Sequence, residues 1–520
     1  MSWERSVLEA CFARGIREFV VCAGSRNSAL VLSLLRTEEI EVWSHFEERS
    51  AGFFALGRSA DSGWPCAVVT TSGTAVAELL PAVVEAHYQG RPLVVISADR
   101  PKRFRGSGAP QAIEQPGIFG SYVEGSDDVD EGRDQDLFEG WSGLRPWQVN
   151  VCLEEDAGPV SLSVGDGKLK RPGLNLPEVA GLAEFLREGI FRGVGVMVGG
   201  LEPEEREEAY QFARALGAPV IADATSGLRE ALTDLVLVDG DRMWREEPPG
   251  KIIRLGDVPV GRFWRDLEGL EGTEVFSVTR TGFSGLARES TCLRANVDEA
   301  LRVLGPVDEI GDVLEQLPKA RRREGLLNEL LESYPDSEPG LMRLLSLYAS
   351  LGESVYLGNS LPIREWNLCA QRESPIIEVR ANRGANGIDG QVSSWLGATA
   401  GQNNAWGIFG DLTALYDFSA PSLLPQAGGK GRALVVLNNG GGRIFERLPS
   451  MQHLPEGEAD VIANAHGLSF EAWATMWEMD YLLVGAAEDM EGEFDAGTTL
   501  VEVRPNEEET RRFWEEYGKL

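Results

Sequence analysis

Short runs of β-branched and apolar residues alternate with longer amphipathic stretches along the whole chain of 520 residues. The runs have the length of buried strands, and the stretches between them are long enough to carry a crossover helix. Repeated βα units bury both faces of a parallel sheet under helices, so the pattern predicts an α/β protein with parallel sheets flanked by helices. The first block contains EFVVCAG (18–24), IEVWSHF (40–46), CAVVTTSG (66–73) and PLVVISAD (92–99). Each runs into Gly, Ser, Asp or Glu before a helical pattern begins. Polar groups therefore collect at strand C-terminal ends, where open α/β sheets bind ligands.

Three such blocks are separable, at residues 1–180, 181–334 and 335–520. The second follows RPGLNLPE (171–178) and contains GVGVMVGG (193–200), a helical EPEEREEAYQFARALG (202–217), PVIADATSG (219–227) and KIIRLGD (251–257). PKARRREGLLNELLES (318–333) reads as a connecting helix. The third block starts near YPDSEPG (334–340), where Ser337 can cap a helix whose first turn holds Pro339. The acidic stretch EGSDDVDEGRDQDLFEG (124–140) does not fit a calcium loop, because starting at Asp128 puts Gly132 fifth rather than sixth. It is expected to be a solvated loop.

Composition narrows the class of partner. There are 49 Lys and Arg against 82 Asp and Glu, a net charge of −33. Such a chain repels phosphate backbones and anionic lipid, so the expected partners are small molecules, with no nucleic acid and no membrane. The six cysteines form no C-x-x-C pair, and His45, His87, His453 and His466 have no metal-ligand spacing. Free buried thiols and structural histidines are expected. The N-terminus mixes charges through an amphipathic pattern without a cleavage site, and no apolar run reaches the roughly 18 residues of a spanning helix. A cytoplasmic location is the expectation.

The segment with most chemistry is AWGIFGDLTALYDFSAPSLLPQAGGKGRALVVLNNGGGRIF (405–445). It reads as a strand (405–409) closing at Gly410-Asp411, a crossover broken by Pro421 and Pro425, and a strand (433–437) closing at Asn438-Asn439 and three glycines. A right-handed crossover makes the two strands parallel, so Asp411 and the Asn pair leave the sheet at the same edge. One carboxylate, one amide oxygen and one backbone carbonyl suit a hard cation such as Mg²⁺, with sites left for phosphate oxygens and water. Glycines 440–442 let the backbone approach a diphosphate closely.

Gly-Asp and Asn-Asn closing two strands 27 to 28 residues apart resemble the diphosphate-anchoring motif of thiamine diphosphate-dependent enzymes. GSRNSAL (24–30), HFEERSAG (45–52), VTTSGTAVAELLPAVVEA (69–86), ISADRP (96–101), QAIEQPGIFG (111–120), GNSLPIR (358–364), NRGANGIDG (382–390) and GDLTALYD (410–417) narrow this further. Together they are similar to the motif set of the 2-succinyl-5-enolpyruvyl-6-hydroxy-3-cyclohexene-1-carboxylate (SEPHCHC) synthase family of menaquinone biosynthesis. The resemblance implies a thiamine diphosphate-binding fold, with a pyrimidine-binding domain (1–180), a central domain with its connecting helix (181–334) and a diphosphate-binding domain (335–520). It implies a transferase that decarboxylates 2-oxoglutarate and adds the succinyl carbanion equivalent to isochorismate. The cofactors would be thiamine diphosphate and Mg²⁺ or Mn²⁺.

By the same resemblance Glu48 is the catalytic carboxyl that hydrogen-bonds the aminopyrimidine, with Glu47 its neighbour. Read alone, the two glutamates equally suit the first turn of a helix. Ile388 would be the apolar wedge beneath the cofactor. Gly410, Asp411, Leu412, Asn439, Gly441, Ile444 and Phe445 would complete its binding site, Asp411, Asn439 and the Gly441 carbonyl also being metal ligands. Both substrates are dicarboxylates, so planar guanidinium forks are expected. Arg26, Arg100, Arg364 and Arg383 lie in the matched motifs, with Ser25, Gln111 and Ser360 as polar contacts and Arg262 from the central block. In the family the two halves of the site come from different subunits, which implies a homodimer or a dimer of dimers. Three positions depart from the family pattern: Pro110 where Asn is usual, Arg262 where Lys is common, and Gly440 where a third Asn can occur. Another thiamine diphosphate carboligase, for instance one making acetohydroxy acids, and a non-catalytic paralogue remain the alternatives at this level.

Overall fold

A computed structural model describes residues 3–130, 136–154, 158–169, 179–189, 192–374, 378–447, 454–490, 494 and 497–520. Within these, the first sheet contains β1 (Glu18–Val21), β2 (Glu41–Ser44), β3 (Cys66–Thr70), β4 (Leu93–Asp99), β5 (Gly125–Val129) and β6 (Trp147–Cys152), in the order β2-β1-β3-β4-β6-β5. The second contains β7 (Val194–Val198), β8 (Val220–Ala222), β9 (Lys251–Leu255), β10 (Glu274–Thr279) and β11 (Thr291–Arg294), ordered β11-β10-β9-β7-β8. The third contains β12 (Ser354–Leu357), β13 (Val379–Arg380), β14 (Ala405–Gly410), β15 (Arg432–Leu437), β16 (Asp480–Val484) and β17 (Thr498–Val503), ordered β13-β12-β14-β15-β17-β16. Neighbouring strands in these sheets are parallel, as the alternating pattern predicts.

Counted from its own first strand, each six-stranded sheet has the same order, second-first-third-fourth-sixth-fifth. In both, the chain winds one way from the first strand and then the other, leaving a crevice between the first and third strands at their C-terminal ends. Ligands bind open α/β sheets at such a switch point. β3, β4 and β15 are buried along their whole length, which is why they read as unbroken apolar runs. The expected helices are also present: Gln316–Ser333 connects the second and third sheets, and Ser337 Oγ caps Glu338–Ala349 by accepting from Gly340 N at 3.1 Å.

The chain divides into two compact units. One comprises Met1–Gly173 with Gly384–Gln402 and Leu415–Gly429, and the other comprises Leu174–Arg383, Asn403–Ala414 and Lys430–Leu520. In the first unit the helix Glu48–Ser62 lies against the helix Gln391–Ala398. Their backbones touch through small residues. Ser50 Oγ and Ser393 Oγ are 2.7 Å apart, and a Cβ at Gly57 would run into the Ser394 carbonyl. Fully buried Asp417 accepts from Ser393 N at 2.8 Å and from its hydroxyl at 3.1 Å, and burial pushes its carboxyl up to about 6.

The acidic stretch 124–140 differs from the solvated loop expected of it. Residues Gly125–Val129 form the edge strand β5, because their carboxylates have partners. Asp127 accepts from Phe138 N at 3.1 Å and Trp147 Nε1 at 2.7 Å. Asp128 is gripped by both Arg105 Nη atoms, at 2.7 and 2.8 Å. The expected linker 171–178 and His453 lie outside the described residues.

Gly57→Ala is expected to destabilise the chain by about 1–3 kcal/mol, the usual cost of overpacking, despite alanine's better helix propensity. Urea denaturation followed by tryptophan fluorescence measures the difference.

Candidate active site

The first unit places its site residues just beyond the C-terminal ends of β1, β2 and β4. After β1, buried Asn27 closes the turn by accepting from Gly24 N at 2.7 Å and donating to Cys22 O at 2.9 Å. Ser25 is thereby left exposed, and Arg26 Nη1 reaches Leu153 O at 3.0 Å. After β4, Arg100 Nε donates to the carbonyl of Pro110 at 2.9 Å, and its guanidinium lies 5.3 Å from the Phe104 ring centre. The residue that departs from the family pattern thus anchors Arg100 through its backbone. Gln111 is exposed at φ 56°, its backbone close to where a Cβ at Gly73 would sit. Gln115, which sequence reasoning passed over, is the buried member of that motif: its Oε1 accepts from Gly73 N at 2.8 Å, and its Nε2 donates to Asn150 at 2.9 Å.

After β2, the two glutamates separate in role. Glu47 is the helix N-cap, accepting from Arg49 N at 3.0 Å and Ser50 N at 3.3 Å, and from Ser419 Oγ at 3.0 Å. Glu48 is the first helical residue and caps nothing. Burial, with Glu47 and Glu78 nearby, raises its carboxyl above the usual range, and only its own backbone N–H opposes this. A half-buried carboxyl of raised pKa that caps no other residue is suited to hold or share a proton. Ile388 is half-buried in the same unit, in a loop held by buried Glu85, which accepts from Gly384 N and Ala385 N, each at 2.7 Å.

In the second unit Gly410 pairs with Leu437 across β14 and β15, so the Asp411 and Asn438-Asn439 ends emerge side by side, as expected. Asp411 Oδ1 accepts from Leu412 N at 2.6 Å. Its Oδ2 accepts from Gly440 N at 2.9 Å and Gly441 N at 2.8 Å. Burial nonetheless raises its carboxyl, outweighing these donors and His466, whose Nε2 lies 3.4 Å away. Gly441 adopts φ 137°, and a Cβ there would stand 2.6 Å from Ala463 O, so glycine is required. Ile444 and the partly exposed Phe445 follow on the turn Arg443–Arg447.

The asparagines also separate. Asn438 Nδ2 donates to Leu468 O at 2.8 Å and to Glu502 at 2.7 Å. Asn439 Nδ2 donates to Glu338 at 3.0 and 3.2 Å, and its Oδ1 is buried without a partner. A cavity of about 920 Å³ opens beside it, lined among others by Gly440, Arg443, His466, Arg504 and Trp514. No three His, Cys, Asp or Glu side chains cluster as a metal site among the described residues, so a cation beside Asp411 would need amide or carbonyl oxygens as well. The orphaned Asn439 Oδ1 fits that requirement.

Ser360, after β12, has φ 73° and ψ −122°, a conformation that costs a side-chain-bearing residue about 1–3 kcal/mol and tends to mark functional sites. Arg364 Nη1 donates to its carbonyl at 2.5 Å, and Arg383 Nη1 donates to Asn359 Oδ1 at 2.8 Å. Burial pushes the Arg364 guanidinium down and neighbouring Arg383 adds to this, while Asp223 and Asp241 oppose it. Asp223 is itself buried, its carboxyl pushed up to about 6 despite accepting from Val260 N at 2.7 Å. Arg262 contributes its backbone N–H to Asp241 at 2.8 Å, and its side chain lies 3.5 Å from Asp266 on its own helix.

The family model "Thiamine pyrophosphate enzyme, N-terminal TPP binding domain" matches residues 1–118. The SEPHCHC synthase of Akkermansia muciniphila is 48% identical over 519 residues, covering 98% of this chain and 97% of its own length. The chain belongs to the SEPHCHC synthase family. The SEPHCHC synthase of Bdellovibrio bacteriovorus is 39% identical, covering 100% of this chain and 99% of its own. Benzoylformate decarboxylase from Polynucleobacter necessarius shares the fold, with a TM-score of 0.73 at 13% identity over 97% of this chain and 99% of its own. This member of the SEPHCHC synthases is therefore a thiamine diphosphate-dependent enzyme.

Because Glu47 caps and Glu48 does not, Glu47→Ala is expected to lower stability by about 1 kcal/mol while Glu48→Ala leaves it unchanged or raised. Thermal and urea denaturation of the two variants side by side checks this.

Proposed function

We propose that this enzyme converts 2-oxoglutarate and isochorismate into SEPHCHC and CO2, as a step of menaquinone biosynthesis. What most supports the reading is the 48% identity, maintained through the whole chain, with a relative of that name. Thiamine diphosphate, when bound, supplies the acidic carbon that makes decarboxylation of a 2-oxo acid and transfer of its remainder possible. Glu48 serves as the catalytic carboxyl: it holds a proton at its carboxylate and presents it to the aminopyrimidine. Asp411, Asn439 Oδ1 and the Gly441 carbonyl hold Mg²⁺ or Mn²⁺. Gly410, Leu412, Ile444 and Phe445 line the cofactor, and Ile388 supports it from below.

Arg26, Arg100, Arg364 and Arg383 bind the substrate carboxylates, with Ser25, Gln111 and Ser360 completing the polar contacts and Arg262 contributing charge. The depressed Arg364 favours an anionic ligand: a bound carboxylate would offset its repulsion by Arg383. Domain roles follow the family, with pyrimidine binding at 1–180, a central domain at 181–334 and diphosphate binding at 335–520. Two copies of the chain form the smallest active unit, or four as a dimer of dimers. Among the described residues no helix is long and apolar enough to cross a membrane, and the cysteines are free, five of them buried; both features support a cytoplasmic location.

An isochorismate-consumption assay with 2-oxoglutarate, thiamine diphosphate and Mg²⁺, each omitted in turn, is expected to require all three. Turnover with pyruvate in place of 2-oxoglutarate, at an equal or greater rate, would overturn the substrate assignment. Glu48→Gln is expected to bind thiamine diphosphate and metal normally while losing about 10²-fold or more in turnover, the usual contribution of proton transfer by a positioned group. Unchanged turnover would remove Glu48 from its catalytic role.

A further inference from the structure

We propose that Glu338 is a positioning residue for the metal: it fixes the side-chain amide of Asn439 so that the amide oxygen, not the nitrogen, faces the cation. This deepens the metal assignment proposed above and rests on it. Glu338 opens the helix Glu338–Ala349, is only 2% exposed, and receives Asn439 Nδ2 at both carboxylate oxygens, at 3.0 and 3.2 Å. Its own backbone N–H donates to Thr510 Oγ1 at 2.9 Å, which ties it to the C-terminal helix Glu507–Tyr517.

An ionised carboxylate can only accept hydrogen bonds, so it admits one orientation of a neighbouring amide. Nδ2 turns toward Glu338, and Oδ1 is driven to the opposite side, where it is buried and has no partner. A buried acceptor left unpaired costs about 1–3 kcal/mol, and an amide without Glu338 would lose no hydrogen bond on that side by turning its N–H₂ into the site. That rotated amide would repel a cation. Glu338 blocks the rotation, because its two oxygens would then face Asn439 Oδ1. Partners that orient ligands in this way typically influence metal affinity by about 10- to 100-fold.

The test is Mn²⁺ binding to the full chain with thiamine diphosphate present, read from the electron paramagnetic resonance signal of free Mn²⁺. Glu338→Leu removes the acceptor and is expected to weaken Mn²⁺ binding about 10- to 100-fold. Glu338→Gln keeps one acceptor oxygen for Asn439 but can also offer a donor, so it is expected to weaken Mn²⁺ binding distinctly less than Glu338→Leu. Equal losses in both variants would overturn the proposal in favour of a plain charge effect, as would wild-type binding by Glu338→Leu. Should Glu338→Leu fail to fold, Asn439→Asp carries the test. It sets two carboxylates against each other, and adding Glu338→Gln supplies a donor and is expected to recover affinity; no recovery would overturn the proposal. Asp411→Ala separates the two levels. Mn²⁺ binding that survives it sinks the metal assignment and this inference together, whereas binding lost in Asp411→Ala but intact in Glu338→Leu sinks only the role of Glu338.

Discussion

The carboxylate of Asp411 ties together the ends of two neighbouring strands. By accepting from the backbone of Gly440 and Gly441 it holds the loop after β15 against the end of β14, and that closure places Asn439 beside it. Burial makes the arrangement costly for a carboxylate on its own, since its carboxyl is raised even with three backbone donors. A cation would reverse that preference, as metal ions invert the local proton balance of their ligands. The glycines are as necessary as the charge, because a side chain at position 441 would collide with the Ala463 carbonyl.

A division of labour between adjacent identical residues occurs in each of the two units. Glu47 satisfies helix N–H groups, and the Glu48 carboxyl meets only its own backbone N–H. Asn438 Nδ2 is held by Glu502 and Leu468, and Asn439 keeps a buried oxygen without a partner. In each pair one residue stabilises the backbone that aims the other. The outcome is a rigid scaffold carrying a few unsatisfied groups, the condition under which a site is pre-organised for its ligand.

A net charge of −33 sits oddly with anionic ligands. Beyond about 8 Å at physiological salt the surrounding charge is largely screened, so short-range contacts decide. Arg364 illustrates this: burial and neighbouring Arg383 disfavour its charge, and Asp223 and Asp241 oppose them. Few histidines are needed, since the proposed proton transfer uses Glu48. His466 nevertheless sits 3.4 Å from Asp411, a placement that its lack of metal-ligand spacing could not reveal.

Strand positions, the parallel arrangement, the helix cap at Ser337 and the Gly-Asp and Asn-Asn ends were all legible in the sequence, because each depends on residues near one another in the chain. Local periodicity and capping chemistry act within a few residues, and a βα unit has one preferred hand. Within the acidic stretch 124–140 the strand at 125–129 was misjudged because its partners, Arg105 and Trp147, lie outside the stretch. Which glutamate caps, which asparagine is spent, and that Glu338 grips Asn439 from 101 residues away were decided by tertiary structure alone. The reason is physical: composition and spacing fix which groups can donate or accept, but only packing fixes which buried group finds a partner and which is left waiting for a ligand.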